Sequence, residues 1–193
     1  MGLLKLDQDL LLPTVCWYRS KTNLPKPMHE HTSIAFHKIS GKNLFPDDPF
    51  NLDRIVDEIM VPYRVSYHLV ITREPSVRMW VPFDYQSFHA GLSRYQGREY
   101  CNNFMIGIGL LSTGIAHQGQ PAYLPGQIEL LAQVSAELMD RYPINDRSFT
   151  SHEFIRNNWN KHNPENPGQS RQGDPGGNFP WANFRKRLAS EKL

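Results

Sequence analysis

His37, His152 and Asp174 are the side chains of this sequence best suited to hold a catalytic metal. His37 stands in Ser33-Ile34-Ala35-Phe36-His37-Lys38-Ile39, and His152 in Phe149-Thr150-Ser151-His152-Glu153-Phe154-Ile155. Asp174 stands in Arg171-Gln172-Gly173-Asp174-Pro175-Gly176. Two imidazoles and one carboxylate fill three positions of a zinc ion and leave the fourth open. That is the layout of a hydrolytic site rather than a structural one.

Other candidates compete. The chain has 8 histidines, and a lone strand histidine is more often packed or hydrogen-bonded than metal-bound. His29 and His31 flank Glu30 and are expected to be exposed. His162 lies closer to Asp174 in sequence. Its neighbours Asn157, Asn158, Asn160, Asn163 and Pro164 read as loop, whereas a rigid element holds a ligand better. His68 follows Tyr67, and in a strand the two face opposite ways, so only one of them can serve the site. The same alternation would point Glu153 away from a metal bound by His152.

The elements that position these groups follow from periodicity. Residues 32–39 alternate and predict a strand that carries His37. Leu52, Ile55, Val56, Ile59 and Met60 repeat at helical spacing, with Asn51 as N-cap and Pro62 as the stop. Two strands are expected near 65–72 and 76–82, then a long loop over 83–103. Phe104 to Leu111 reads as a buried central strand, with Gly107 and Gly109 where another group approaches closely. Pro125 starts the longest helix, whose face is Ile128, Leu131, Val134, Leu138 and Met139. A further strand carries His152, and a polar loop runs from Asn157 to Pro180. A last helix starts near Trp181, with Phe184 and Leu188 facing inward. The sum is a single α/β domain over 31–193, a central mixed β-sheet flanked by helices, preceded by an irregular, proline-rich arm over 1–30.

Composition sets bounds. A chain of 193 residues suits one domain with its own core. A net charge of +2 gives no reason to invoke nucleic acid, and no stretch reaches membrane-spanning length. Two cysteines, Cys16 and Cys101, lie far apart without a C-x-x-C pair, so a thiolate metal site is not expected. They are read as free thiols, with a disulfide between them as the alternative. Lys5, Asp7 and Asp9 break the N-terminal apolar run, which makes a poor signal peptide. A cytoplasmic monomer is expected, with action on a cell wall open to it if it is phage-derived or delivered.

Taken in order, the contexts of His37, His152 and Asp174, with Val65-Ser66-Tyr67-His68-Leu69-Val70-Ile71 and Phe88-His89-Ala90-Gly91 between them, resemble the type-2, zinc-dependent N-acetylmuramoyl-L-alanine amidases. The run Val81-Pro82-Phe83-Asp84 and then Phe88 to Phe104 is most similar to the cytoplasmic amidases that recycle anhydro-muropeptides. The resemblance implies Zn²⁺ on His37, His152 and Asp174. It also implies hydrolysis of the amide between N-acetylmuramic acid, which can be the 1,6-anhydro sugar, and L-alanine in peptidoglycan or its fragments.

Two positions depart from the recycling pattern. Gly109 stands where that subfamily carries a glutamate, and Gln172 where it carries a lysine. Tyr67 stands where it has a small residue, and there it resembles the phage lysozyme-type amidases and catalytic peptidoglycan-recognition proteins. By that resemblance Tyr67 and Gln172 are the catalytic candidates, each able to donate a hydrogen bond to an oxyanion or a bound water. The expected enzyme is active with reduced turnover. The alternative is an impaired amidase-like module that binds peptidoglycan or a protein partner. The loop with His89 and Arg98 is expected to line the substrate groove. Arg98 and Arg171 are candidates for substrate carboxylates, Asn103 for a backbone turn or a sugar contact, and Trp159 for stacking on a sugar from a lid over 157–172.

Overall fold

A computed structural model describes residues 26–168 and 173–192. Among the described residues there are seven strands: β1 Ser33–Ile39, β2 Leu69–Ile71, β3 Val77–Met79, β4 Arg94–Tyr95, β5 Arg98–Glu99, β6 Met105–Leu111 and β7 Phe149–Ser151. Five α-helical segments accompany them among these residues: α1 Leu52–Ile55, α2 Val61–Tyr63, α3 Pro125–Arg141, α4 His152–His162 and α5 Trp181–Glu191. The main sheet has the order β3-β2-β6-β1-β7. β1 runs parallel to both β6 and β7, β2 runs parallel to β6, and only β3 is antiparallel to its neighbour. The fold is therefore a single-domain α/β architecture with a mixed central sheet. The hairpin β4-β5 lies within the long loop before β6.

The two faces of the sheet do different work. Ile34, Phe36, Ile106, Ile108 and Leu110 bury one face against Ile128, Leu131 and Val134 of α3 and Phe184 and Leu188 of α5. The other face carries Ala35, which packs with Ala90, Cys101, Phe104 and Ile155. Next to it Ile39 joins Ile55, Val56, Met60, Tyr67 and Val70. Full burial of one such aliphatic side chain contributes about 1.5–3 kcal/mol, so both faces are strongly specified. Register pairs Ala35 with Gly107 and His37 with Gly109, which sets His37 beside the glycine-bearing row of β6.

Asn51 caps α1 as expected, its side chain accepting from the Arg54 N–H. Pro62 does not stop the helix. Residues Val56–Met60 form a π-turn, and the helix continues through Pro62 to Arg64, which adopts a left-handed conformation. The wider turn lets the chain pass a residue that lacks an N–H. The largest difference from expectation is at His152. The strand ends at Ser151, and His152 is the first residue of α4, which runs through the asparagine-rich stretch to His162. Ser151 is the N-cap, with its hydroxyl accepting from the Phe154 N–H at 3.1 Å. Inward burial of Ile155 and Trp159 holds this helix despite its poor intrinsic propensity. Of the arm expected over 1–30, residues 1–25 lie outside the described residues, as does Cys16. Among the described residues no helix is long and apolar enough to cross a membrane.

Candidate metal centre

The three side chains separated by up to 137 residues in sequence meet at the carboxyl ends of β1 and β7, where open α/β sheets bind their ligands. Among the described residues His37, His152 and Asp174 form the one cluster able to hold a metal ion, their ligand atoms all within 4.8 Å of one another. Asp174 Oδ2 lies 2.9 Å from His152 Nδ1 and 3.5 Å from His37 Nδ1. Bonds of about 2.0–2.1 Å in a tetrahedron separate neighbouring ligand atoms by roughly 3.3 Å, so these spacings suit a shared ion. The His37 side chain is 0% exposed, whereas Asp174 keeps 15%, so solvent reaches the cluster from the Asp174 side.

The carboxylate is held from several directions. Asp174 Oδ1 accepts from the Lys38 N–H at 2.8 Å. Its backbone oxygen accepts from the Glu153 N–H in the first turn of α4 at 2.9 Å. Burial alone would push the carboxyl up. The interactions with the neighbouring imidazoles, His152 first and then His37, outweigh it and hold Asp174 well below the usual carboxylate range. An ionised carboxylate beside two imidazole nitrogens is a donor set for a divalent cation.

Behind His37 stands His89. His37 Nε2 lies 3.0 Å from His89 Nδ1, and His89 Nε2 lies 3.0 Å from the Met105 carbonyl oxygen. His68 is buried one step further back. Its Nε2 donates to the Tyr85 carbonyl oxygen at 3.0 Å, and its Nδ1 accepts from Gly107 N–H and from the Ser87 hydroxyl. Burial pushes His68 down to about 3, partly offset by its bond to Tyr85. His89 is also driven well below the ordinary histidine value, first by burial and then by His37 and His68. Both rings are neutral at neutral pH. Burial likewise pushes the Cys101 thiol up to about 11, which removes it as a nucleophile near neutrality.

The glycines of β6 make room on this face. A Cβ at Gly107 would lie 2.4 Å from His89 Cγ. One at Gly109 would lie 2.1 Å from Ile39 Cδ1 and 3.4 Å from Tyr67 Cγ. The space in front of residue 109 is thus taken by Ile39 and Tyr67. The Tyr67 ring is buried, with its centroid 5.0 Å from that of His37.

The remaining candidates fall in varied places. His89 is buried behind His37 rather than facing a groove. Arg98 is exposed, pairs with Glu30 at 2.9 Å and lies over the Phe104 ring. Asn103 is exposed, and the backbone turn is fixed instead by Asn102, whose Oδ1 accepts from the N–H groups of His89 at 3.2 Å and Ala90 at 2.9 Å. The adjacent asparagines offered no signal to choose between them. Trp159 is not a lid residue here. It faces inward from α4 against Tyr100, and its indole N–H donates to Asn166. His31, expected at the surface, is buried, donates to the Phe83 carbonyl oxygen and stacks on Tyr142. His162 is exposed and His29 likewise, away from the cluster. Arg171 and Gln172 lie outside the described residues.

Comparison with known proteins agrees with this geometry. The profile of a family described as N-acetylmuramoyl-L-alanine amidase matches residues 28–177. The 1,6-anhydro-N-acetylmuramyl-L-alanine amidase AmpD of Escherichia coli K12 is 39% identical over 128 residues, 66% of this chain and 61% of that protein. The chain thus spans about three fifths of the length of the curated relatives it matches. A crystal structure of a selenomethionine AmpD derivative superposes with a TM-score of 0.64 at 32% identity, covering 86% of this chain and 92% of that one. Escherichia coli AmiD, in complex with anhydro-N-acetylmuramic acid-L-Ala-D-gamma-Glu-L-Lys, shares the fold with a TM-score of 0.60 at 21% identity, over 86% of this chain and 60% of that one.

Proposed function

Because the chain belongs to the N-acetylmuramoyl-L-alanine amidase family, we propose that it is a zinc hydrolase acting on peptidoglycan fragments. The bond cleaved is the amide between N-acetylmuramic acid and L-alanine. The observation that carries the reading is the convergence of His37, His152 and Asp174, with ligand atoms within 4.8 Å. These three residues would hold the metal. When bound, zinc supplies a Lewis acid that polarises the amide carbonyl and makes a water molecule acidic enough to act as nucleophile near neutral pH.

The protein's own groups do the rest. Asp174, kept ionised, supplies the negative charge that favours a dication here. His37 and His152 present ring nitrogens to the same point. We assign to the Tyr67 phenol the donor role toward the oxyanion of the tetrahedral intermediate, since its ring lies beside His37. Gln172 is the second donor in this reading, and Arg171 and Arg98 are its candidates for stem-peptide carboxylates. Muropeptides with a 1,6-anhydro sugar, cleaved in the cytoplasm, are the substrate class to test first, because the AmpD relative is named for that sugar.

A second reading has a specific observation in its favour. Ile39 and Tyr67 fill the room that a carboxylate side chain at position 109 would occupy. A module that binds peptidoglycan without cleaving it would tolerate that loss. Mass spectrometry of a defined anhydro-muropeptide incubated with zinc-loaded protein separates the two. Release of free stem peptide supports the hydrolase, and binding without release supports the module.

A further inference from the structure

We propose that His89 is a positioning residue for His37, and that through it the Met105 carbonyl oxygen selects the His37 tautomer whose Nδ1 lone pair faces the metal site. The proposal rests on the metal-centre reading above.

The hydrogen-bond chain starts at a group that can only accept. The Met105 carbonyl oxygen is 3.0 Å from His89 Nε2, so that nitrogen carries the proton. A neutral imidazole has one N–H, which leaves His89 Nδ1 as an acceptor. His37 Nε2, 3.0 Å away, must then be the donor. His37 Nδ1 is left with its lone pair, and it is this atom that faces Asp174 Oδ2 at 3.5 Å. The opposite His37 tautomer would put a proton where a metal needs a lone pair, and it would set two acceptors against each other in the interior.

The geometry leaves His89 little freedom to do anything else. It is 3% exposed, too deep to touch a substrate. Asn102 fixes the backbone at its N–H, and the side chain lies against the bare backbone of Gly107, where even a methyl group would collide at 2.4 Å. A ligand histidine whose other nitrogen is held by an oriented partner is the arrangement that tunes metal sites from behind. Here that partner is a second imidazole, itself oriented by a main-chain oxygen.

The test compares zinc affinity, measured by competition with a chelating dye, in wild type, His89→Leu and His89→Asn. Leucine keeps the volume without an acceptor, whereas the asparagine oxygen falls near the place of Nδ1. Zinc affinity is expected to fall about 10–100-fold in His89→Leu and to recover for the most part in His89→Asn. Folded His89→Leu with wild-type affinity would overturn the proposal. Nitrogen-15 NMR of the wild-type imidazoles gives an independent answer if a variant does not fold: Nε2–H on both His37 and His89 supports it, and Nδ1–H on His37 overturns it. Wild type that binds no zinc would instead overturn the metal reading, and the NMR result would still decide the hydrogen-bond chain.

Discussion

Gly107 and Gly109 lie on the same face of β6, yet alanine is expected to be far more harmful at the first than at the second. At Gly107 the added methyl would lie 2.4, 2.7 and 2.9 Å from His89 Cγ, Cδ2 and Cβ. Carbon contacts settle at about 3.5–4.0 Å, so the ring must retreat by about 1 Å. Both of its nitrogens are committed at 3.0 Å, and such a retreat breaks both bonds. Overpacking costs about 1–3 kcal/mol and each lost neutral hydrogen bond about 1 kcal/mol, a total of about 3–5 kcal/mol. At Gly109 the main obstacle is Ile39 Cδ1 at 2.1 Å, the free end of a side chain that can change rotamer. A shift of that kind costs about 0.5–1.5 kcal/mol. Urea unfolding of the metal-free proteins, followed by circular dichroism, measures both. Gly107→Ala should lose at least about 1.5 kcal/mol more than Gly109→Ala, and should also bind zinc more weakly because His89 no longer holds His37. Equal losses, or a larger one at Gly109, would refute the packing argument.

Other perturbations read other parts of the site. Tyr67→Phe should lower turnover about 100-fold while leaving zinc affinity unchanged, as expected for an oxyanion donor; unaltered turnover in the peptide-release assay would reduce Tyr67 to a packing residue. Gly109→Glu should be destabilising alone and less so together with Tyr67→Ala, with a coupling of at least about 0.5 kcal/mol in a double-mutant cycle; strict additivity would show that the two positions do not share space. Acid should weaken the metal-free fold. His68 stays neutral in the folded protein down to about 3, whereas its ordinary value is 6.5, so the unfolded chain binds the extra proton between those limits. Stability therefore falls as pH drops through that window, by about 1.4 kcal/mol per pH unit from this group, with His89 acting in the same direction. Unfolding free energies that stay flat from pH 6.5 to 4.5 would contradict this.

Much of the frame was legible where the pattern was strong. Alternation marked β1, Pro125 marked the start of α3, and Asn51 marked the cap of α1, because each of those signals is local. The sequence context of His37, His152 and Asp174 pointed to one shared site, though the strand expected to carry His152 is a helix start. The overlooked signals were Ser151 as N-cap and the spacing of Ile155 and Trp159, masked by asparagines that seldom favour helix. The position of His89 could not be read at all. It depends on a contact across 52 residues, and nothing local distinguishes a histidine buried behind His37 from one lining a groove. The choice of Asn102 over Asn103 is set in the same way by the 3-10 turn at Cys101–Asn103.

The most direct measurement is the anomalous scattering of a zinc-soaked crystal at the zinc absorption edge. One strong peak is expected, bounded by His37 Nδ1, His152 Nδ1 and Asp174 Oδ2. A peak elsewhere, such as between His29 and Glu30, or none among these three side chains, would contradict it.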